Sequence, residues 1–238
     1  MSADLLTEGP GRPGFFGKLP WLGDFVTRGL PNSFVTPWDS WLQAGMAATR
    51  EELGDAWLER FLTAPIWRFV LPAGCAGPAM AGVLMPSVDR VGRYFPLTVA
   101  MPLEADPPAE APLAAAFWFD ELEAVALAAL DEAVSPEAWE ESISRLPPPT
   151  LADAEAPAQI GYGWQALSLA GPLSLGSATL RLSISGPVAG QSRFWTNPED
   201  GGWYLAGDGL PPAAIWPHAF MGPPPAIVPP PIVPDAIS

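Results

Sequence analysis

Two spacings of apolar residues along the first hundred positions predict helices and strands. Helical spacing begins near residue 38 and resumes after Gly54, so the segment forms one broken helix or two packed helices. Its apolar positions are Trp38, Trp41, Leu42, Met46, Trp57, Leu58, Phe61 and Leu62. Thr36-Pro37-Trp38-Asp39 has the residue types of a helix start, with Thr36 as the cap and Pro37 at the first helical position.

Short apolar runs predict the strands of a sheet. The runs are 14–19, 66–71, 80–85 and 94–101, and shorter strands are expected at 178–185, 192–196 and 202–206. Runs 80–85 and 94–101 are apolar at nearly every position, so we expect them at the centre of the sheet. The segment between residue 19 and Pro31 is rich in Gly and Pro and is expected to form turns.

Helices return in the middle of the chain. One is predicted over 113–130, and a second opens at Ser135-Pro136-Glu137, where a capping residue precedes a proline. A last short helix is expected over 213–220. Because helices and strands interleave, the pattern predicts an α/β domain with helices on both faces of the sheet. We expect one domain over 1–221, followed by a Pro-rich tail over 222–238.

Charge is unevenly distributed and excludes several classes of partner. The 238 residues include 26 acidic and 11 basic side chains, for a net charge of −15. Nucleic acid and anionic membranes need a basic surface, so neither is an expected partner. Residues 101–160, called the acidic block here, hold thirteen of the acids and one base, Arg145. The acidic side chains of its helices fall mainly opposite the apolar stripe.

The N-terminus and the hydropathy predict a cytoplasmic protein. No run of about 18 apolar residues is free of proline and charge, so no membrane insertion is expected. The first residues lack the basic start and apolar core of a signal peptide. A lone cysteine, Cys75, also suits a reducing compartment.

Candidate chemistry is sparse. With one histidine, His218, and one cysteine, a histidine- or cysteine-rich metal site is not expected. No phosphate-binding or dinucleotide-binding glycine motif occurs, so no cofactor is predicted. The paired acids of the acidic block are interpreted as a solvated helix face, with a Ca²⁺ or Mg²⁺ site as the alternative. Acid–base work by a carboxylate pair stays open.

Three polar stretches are candidate contact sites. Residues 17–31 can bring Lys18, Asp24 and Arg28 together, either as a turn held by a local ion pair or as part of a contact surface. Residues 85–96 form a hairpin-like connection that carries Ser87, Asp89, Arg90 and Arg93. It is either an ordinary polar loop or a grip on an anion or a partner's carboxylates by Arg90 and Arg93, since guanidinium groups suit bidentate recognition. Residues 193–198 place Trp195 at a strand end, for core packing or partner contact.

Several ordered motifs together resemble a known family. They are Gly17-Lys18-Leu19-Pro20 with Gly23-Asp24-Phe25, then Pro37-Trp38-Asp39-x-Trp41-Leu42, then Trp67-Arg68-Phe69, then the run from Gly82 to Leu97. This arrangement resembles the TagF/ImpM family of bacterial type VI secretion-associated proteins over residues 14–102. Beyond that the resemblance thins: Phe194-Trp195-Thr196 is similar to the family's Trp-Trp-Thr element, and the Gly-Leu-Pro at 209–211 suits its C-terminal part. The acidic block and the tail carry no family motif.

The resemblance implies a fold and a role. It implies a three-layer αβα sandwich, here with a mixed or largely antiparallel central sheet, in the cytoplasm of a Gram-negative bacterium. It also implies a post-translational repressor of type VI secretion that acts with a forkhead-associated scaffold protein and a threonine-phosphorylation pathway, without catalytic residues. We therefore expect a non-enzymatic regulator that binds its partner through some of Lys18, Asp24, Arg28, Ser87, Asp89, Arg90, Arg93 and Trp195.

Other classes stay open at this point. The acidic block is a second surface on which a basic partner could dock. A hydrolase that uses carboxylates, or a small-ligand-binding α/β domain, is compatible with the pattern. So is a structural or accessory component of the secretion apparatus. The sequence does not determine the oligomeric state.

Overall fold

Eight strands form one sheet in the computed structural model, which describes residues 11–107, 115–149, 165–169, 191–196 and 202–221. The strands are β1 (Gly14–Gly17), β2 (Val26–Arg28), β3 (Trp67–Leu71), β4 (Met80–Met85), β5 (Leu97–Pro102), β6 (Gln165–Leu169), β7 (Ser192–Trp195) and β8 (Gly202–Gly207). Their order across the sheet is β2-β1-β5-β4-β3-β7-β8-β6. Every pair of neighbouring described strands is antiparallel.

Helices cover both faces of the sheet. Helices α1 (Asn32–Leu53), α2 (Trp57–Leu62) and α5 (Trp216–Ala219) share one apolar core with it. Helices α3 (Ala116–Ala128) and α4 (Pro136–Ser144) share the other. The α/β class and the three-layer αβα architecture are therefore confirmed.

The two cores explain why the central strands are apolar at nearly every position of the sequence. In β4, Ala81 and Val83 face α3 and α4, whereas Met80 and Leu84 face α1 and α2. Because both faces of the strand are covered, no position is left for a solvated side chain. The prediction that 80–85 and the strand after it lie inside the sheet is confirmed by the strand order.

Helix α1 begins earlier than its sequence predicts. Its first residue is Asn32, and Pro37 lies inside the helix. The start at Thr36 was wrong because Phe34 continues the apolar stripe of Trp38 and is fully buried, so one more turn buries another large side chain. The cost is one missing backbone donor at Pro37. The predicted break after residue 53 is confirmed: a 3₁₀ turn at Gly54–Ala56 joins α1 to α2.

Other boundaries differ from the predictions in informative ways. Strand β2 lies in the segment expected to be turns, because its backbone pairs with β1. Strand β5 starts at Leu97 rather than 94, since Tyr94 bridges to Val88 within the preceding loop. The last helix is split into a 3₁₀ turn at Ala213–Ile215 and α5. The strand predicted at 178–185 and the tail at 222–238 lie outside the described residues.

Indole groups anchor the α1 layer. The Trp38 Nε1–H donates to Thr98 Oγ1 of β5 at 2.9 Å, and the Trp41 Nε1–H donates to the Pro211 carbonyl at 2.7 Å. The first bond ties the helix to the sheet, and the second ties it to the segment that leads into α5. None of the helices in the described part of the chain is long and apolar enough to cross a membrane.

Candidate functional site

Two loops at one end of the sheet are joined to each other. They are residues 18–25, between β1 and β2, and residues 86–96, between β4 and β5; we call them the paired loops. The Ser87 hydroxyl donates to the Lys18 carbonyl at 2.8 Å, and the Arg90 N–H donates to the Leu22 carbonyl at 2.9 Å. The Arg93 guanidinium also donates to the Gly23 carbonyl. Strands β1 and β5 are neighbours in the sheet, so the register itself brings the loops together.

A buried carboxylate lies at the centre of the paired loops. Asp89 Oδ2 accepts from Lys18 Nζ and from Arg93 Nε, each at 2.7 Å. Asp89 Oδ1 accepts from the backbone N–H groups of Val91, at 3.0 Å, and Arg93, at 2.8 Å. Lys18 Nζ also sits 4.2 Å from the centre of the Phe25 ring. The Asp89 side chain therefore holds the turn of its own loop and also binds Lys18 of the neighbouring loop.

These contacts keep Asp89 ionised. Burial by itself would raise the pKa of the Asp89 carboxyl, but hydrogen bonds from Lys18, Arg93 and the Val91 N–H outweigh it. They hold the pKa of Asp89 far below its usual range. A carboxylate so held does not take up a proton near neutral pH, and it is poorly suited to general acid–base chemistry.

Apolar side chains are exposed around this centre. Val91 is 64% exposed, Phe25 48% and Leu22 36%. Asp24, Arg90 and Arg93 are exposed beside them. We call Leu22, Asp24, Phe25, Arg90, Val91 and Arg93 the loop surface. Exposed apolar residues with arginine among them are typical of protein contact surfaces.

The candidate residues from the sequence fall into an inner and an outer group. Lys18, Ser87 and Asp89 are each 3% exposed and hold the paired loops together. Asp24 and Arg90 are exposed on the loop surface, and Arg28 is exposed on edge strand β2. The ion pair of Lys18 is not local, as the sequence suggested, but reaches Asp89, 71 residues away. The Arg93 guanidinium donates hydrogen bonds to Asp89 and to the Gly23 carbonyl. Of the two arginines predicted to bind an anion or a carboxylate, Arg90 is therefore the better placed to contact a partner.

Trp195 is not at this surface. It is 2% exposed and packs edge to face on Phe119 of α3, with ring centres 4.7 Å apart. Strand β7 turns this residue toward the α3–α4 layer, so a partner-contact role for Trp195 was wrong. The exposed residues Leu22, Phe25 and Val91 were missed instead. The available signal was that they are large apolar residues in segments whose Gly and Pro content prevents a regular element.

A second ion cluster, centred on the buried Arg68, joins the sheet to the acidic block. Arg68 of β3 donates from Nε to Glu123 Oε1 at 2.7 Å, from Nη2 to Glu123 Oε2 at 2.8 Å, and from Nη2 to Asp120 Oδ1 at 2.6 Å. Burial alone would lower the pKa of Arg68, but Glu123 and Asp120 raise it, so the guanidinium stays charged. The acids of α3 are therefore not only a solvated face. An arginine inside an apolar run was the signal for this cluster.

Comparisons with known proteins agree with the geometry. The family model of the TagF N-terminal domain, type VI secretion system-associated, matches residues 14–146. The chain is similar to a solved structure, PA0076 from Pseudomonas aeruginosa PAO1, with 36% identity over 91% of this chain and 97% of that one, and a TM-score of 0.70. No curated protein matches the chain. The match extends past residue 102, so most of the acidic block belongs to the shared domain as its second helical layer.

Proposed function

Because this chain belongs to the TagF family of type VI secretion-associated proteins, we propose that it is a cytoplasmic, non-enzymatic repressor of type VI secretion. In this proposal it acts after translation, by contact with a forkhead-associated scaffold protein. The loop surface is the part of the molecule that makes the contact. The family membership supports the secretion context, and the repressor role and the partner are our inference.

The observation that carries the proposal is that the paired loops combine buried ion pairs, which fix their arrangement, with exposed apolar side chains. Lys18, Asp89 and Arg93 fix the two loops in one arrangement, so the surface loses little conformational entropy on binding. Phe25 and Val91 project apolar area beside Arg90. Aromatic side chains and arginine are enriched at protein interfaces, so Phe25 and Arg90 are the expected anchors and Val91 adds apolar contact area.

The chemistry of the buried groups supports a non-enzymatic role. Asp89 and Arg68 have shifted pKa values that favour their charged forms, and both are enclosed by partners of opposite charge. Ion-pair networks that hold structure together also shift pKa values in this way, and a carboxylate kept ionised by its partners is a poor proton donor.

A binding experiment with matched controls tests the proposal. Arg90→Glu and Val91→Ser change exposed side chains and leave Lys18, Asp89 and Arg93 in place. Either variant should weaken binding to the purified forkhead-associated protein of the same bacterium by about tenfold or more, while its melting temperature stays that of the wild type. Of the controls at exposed positions elsewhere, Arg145→Glu makes the same charge reversal and Leu62→Ser replaces another apolar side chain by serine; both should bind like the wild type.

Secretion assays connect binding to repression. In a host that lacks the gene, the wild-type chain should restore repression, and Arg90→Glu should not. If both loop variants still bind the scaffold protein at wild-type strength, the loop surface is not the contact. If binding is lost and repression persists, the scaffold protein is not the target. Recovery of the chain in fixed stoichiometry with assembled secretion particles would instead identify a structural component.

A further inference from the structure

A groove lies between the paired loops and the connection from α3 to α4. Its volume is 340 Å³. Pro20 and Trp21 form one wall, Leu130 and Val134 form the other, and Asp131 and Glu132 contribute carboxylates. Most of its lining residues are apolar, and two of them are acidic. A volume of this size holds one large side chain with part of its backbone.

The walls of the groove are held in place by contacts outside it. Trp21 packs edge to face on the buried Trp139, with ring centres 5.5 Å apart. The connection is fixed at both ends, because the Val134 N–H donates to the Asp131 carbonyl at 3.1 Å and the Ser135 hydroxyl accepts from the Ala138 N–H at 3.2 Å. The groove is therefore preformed, and a ligand need not order it.

The charge around the groove selects a cation. Residues 115–149 contain eight acids and one base, Arg145, which pairs with Glu141. Asp131 and Glu132 are exposed, and neither has a basic partner among the described residues. A half-buried indole next to two such carboxylates is a favourable environment for a guanidinium group, which stacks on aromatic faces and pairs with carboxylates.

We propose that this groove binds an arginine side chain from a basic segment of a partner protein. The stem of the arginine packs between Trp21 and Leu130, and its guanidinium meets Asp131 and Glu132. The proposal does not depend on whether the chain is a repressor or on which protein is the partner of the loop surface.

Two other occupants fit the groove less well. The C-terminal segment 222–238 contains no lysine or arginine, so it cannot supply the cation. A second copy of the chain carries the same net charge of −15, and two such molecules repel each other. A basic partner is attracted by the same field.

A pair of peptides tests the proposal directly. The full chain, labelled with ¹⁵N, is titrated with acetyl-Gly-Leu-Arg-Leu-Gly-amide and with the same peptide carrying citrulline in place of arginine. Citrulline has the shape of arginine without its charge. The arginine peptide should shift the indole N–H signal that disappears in Trp21→Phe, and the citrulline peptide should bind about tenfold more weakly or worse. Raising the salt concentration should weaken binding of the arginine peptide.

Matched variants separate the groove from a general charge effect. Asp131→Asn/Glu132→Gln removes both carboxylates and should weaken binding of the arginine peptide by up to about tenfold. The Asp131→Asn change keeps a side-chain oxygen at the place where Asp131 Oδ1 accepts from the Ala133 N–H, so the turn is preserved. The control Glu51→Gln/Asp55→Asn removes the same charge from exposed positions on the opposite layer, and should bind like the wild type.

Several results would overturn the proposal. These are no shift of the Trp21 signal by the arginine peptide, equal affinity for the two peptides, or equal losses in the two double variants. A wild-type dimer in sedimentation that Asp131→Asn/Glu132→Gln dissociates would place a second copy in the groove and would also overturn it.

Discussion

Lys18 Nζ and Asp89 Oδ2 lie 2.7 Å apart although the two residues are 71 positions apart in sequence, and both side chains are almost fully buried. This ion pair joins the loop after β1 to the loop after β4. Because these two charged side chains are buried against each other, neither contributes to the exposed part of the paired loops. A substitution at either residue should therefore change the arrangement of the loop surface, although neither residue is part of that surface.

The pH dependence of stability should carry the signature of Asp89. Its pKa is lowered in the folded chain, so its stabilising contribution is complete above the unfolded pKa of about 4 and is lost as the pH falls toward the lower folded value. Asp89→Asn should unfold at lower urea concentration than the wild type. The difference between the two proteins should be constant from about pH 7 to about pH 5 and shrink below about pH 4.

Urea denaturation at a series of pH values measures this difference. A gap that stays constant from about pH 5 down to about pH 2 would mean that the pKa of Asp89 is not lowered in the folded chain. Asp55→Asn, at an exposed site, serves as the control and should show no gap.

The two acids that hold Arg68 should contribute unequally. Glu123 makes two hydrogen bonds to Arg68 and is 20% exposed, whereas Asp120 makes one and is 53% exposed. Asp120→Ala should therefore cost less stability than Glu123→Ala. The double variant leaves a buried guanidinium without an acceptor and should lose about 3–5 kcal/mol.

Equilibrium urea unfolding of the three variants measures these costs. Glu121→Ala, at an exposed position of the same helix, should stay within about 0.5 kcal/mol of the wild type. Equal costs for the two single variants would contradict the geometry of the cluster.

Gly45 should not tolerate a methyl group. Alanine normally favours a helix over glycine by about 1 kcal/mol. At this position of α1, however, a Cβ would overlap the Trp216 indole ring of α5. Gly45→Ala should thus destabilise the protein by about 1–3 kcal/mol instead of stabilising it.

The effect should depend on Trp216. In thermal or urea unfolding, Gly45→Ala/Trp216→Leu should lose less than the sum of the two single losses, because the smaller side chain makes room. Additive losses would show that the glycine is needed for another reason.

Ser135 should stabilise α4 as its N-terminal cap. Its hydroxyl accepts from the Ala138 N–H, and Pro136 follows at the first helical position. Ser135→Ala should lower the free energy of unfolding by about 1 kcal/mol, and Ser135→Asp should restore it. Failure of aspartate to rescue would argue against capping as the reason.

Parts of the candidate site were predictable, and parts were not. Ser135-Pro136 predicted the start of α4 because a cap acts within one turn of its own residue. The continuous apolar run of β4 likewise predicted a strand covered on both faces. The partner of Lys18 was not predictable, because Asp24 and Asp89 are equally good carboxylates until the sheet order brings β1 beside β5. The burial of Trp195 was not predictable either, because the register of β7 decides which face of the sheet its side chain lies on.

The sequence by itself determined the element types, the interleaving of helices and strands, and the acidic character of the middle of the chain. These depend on contacts between residues close together along the chain and on composition. Only the tertiary structure decided which charges are buried, which apolar side chains stay exposed and where the groove lies. Each of these depends on contacts between residues that are distant in sequence. A charged side chain that a neighbouring layer buries needs a partner of opposite charge, whereas an exposed one is hydrated.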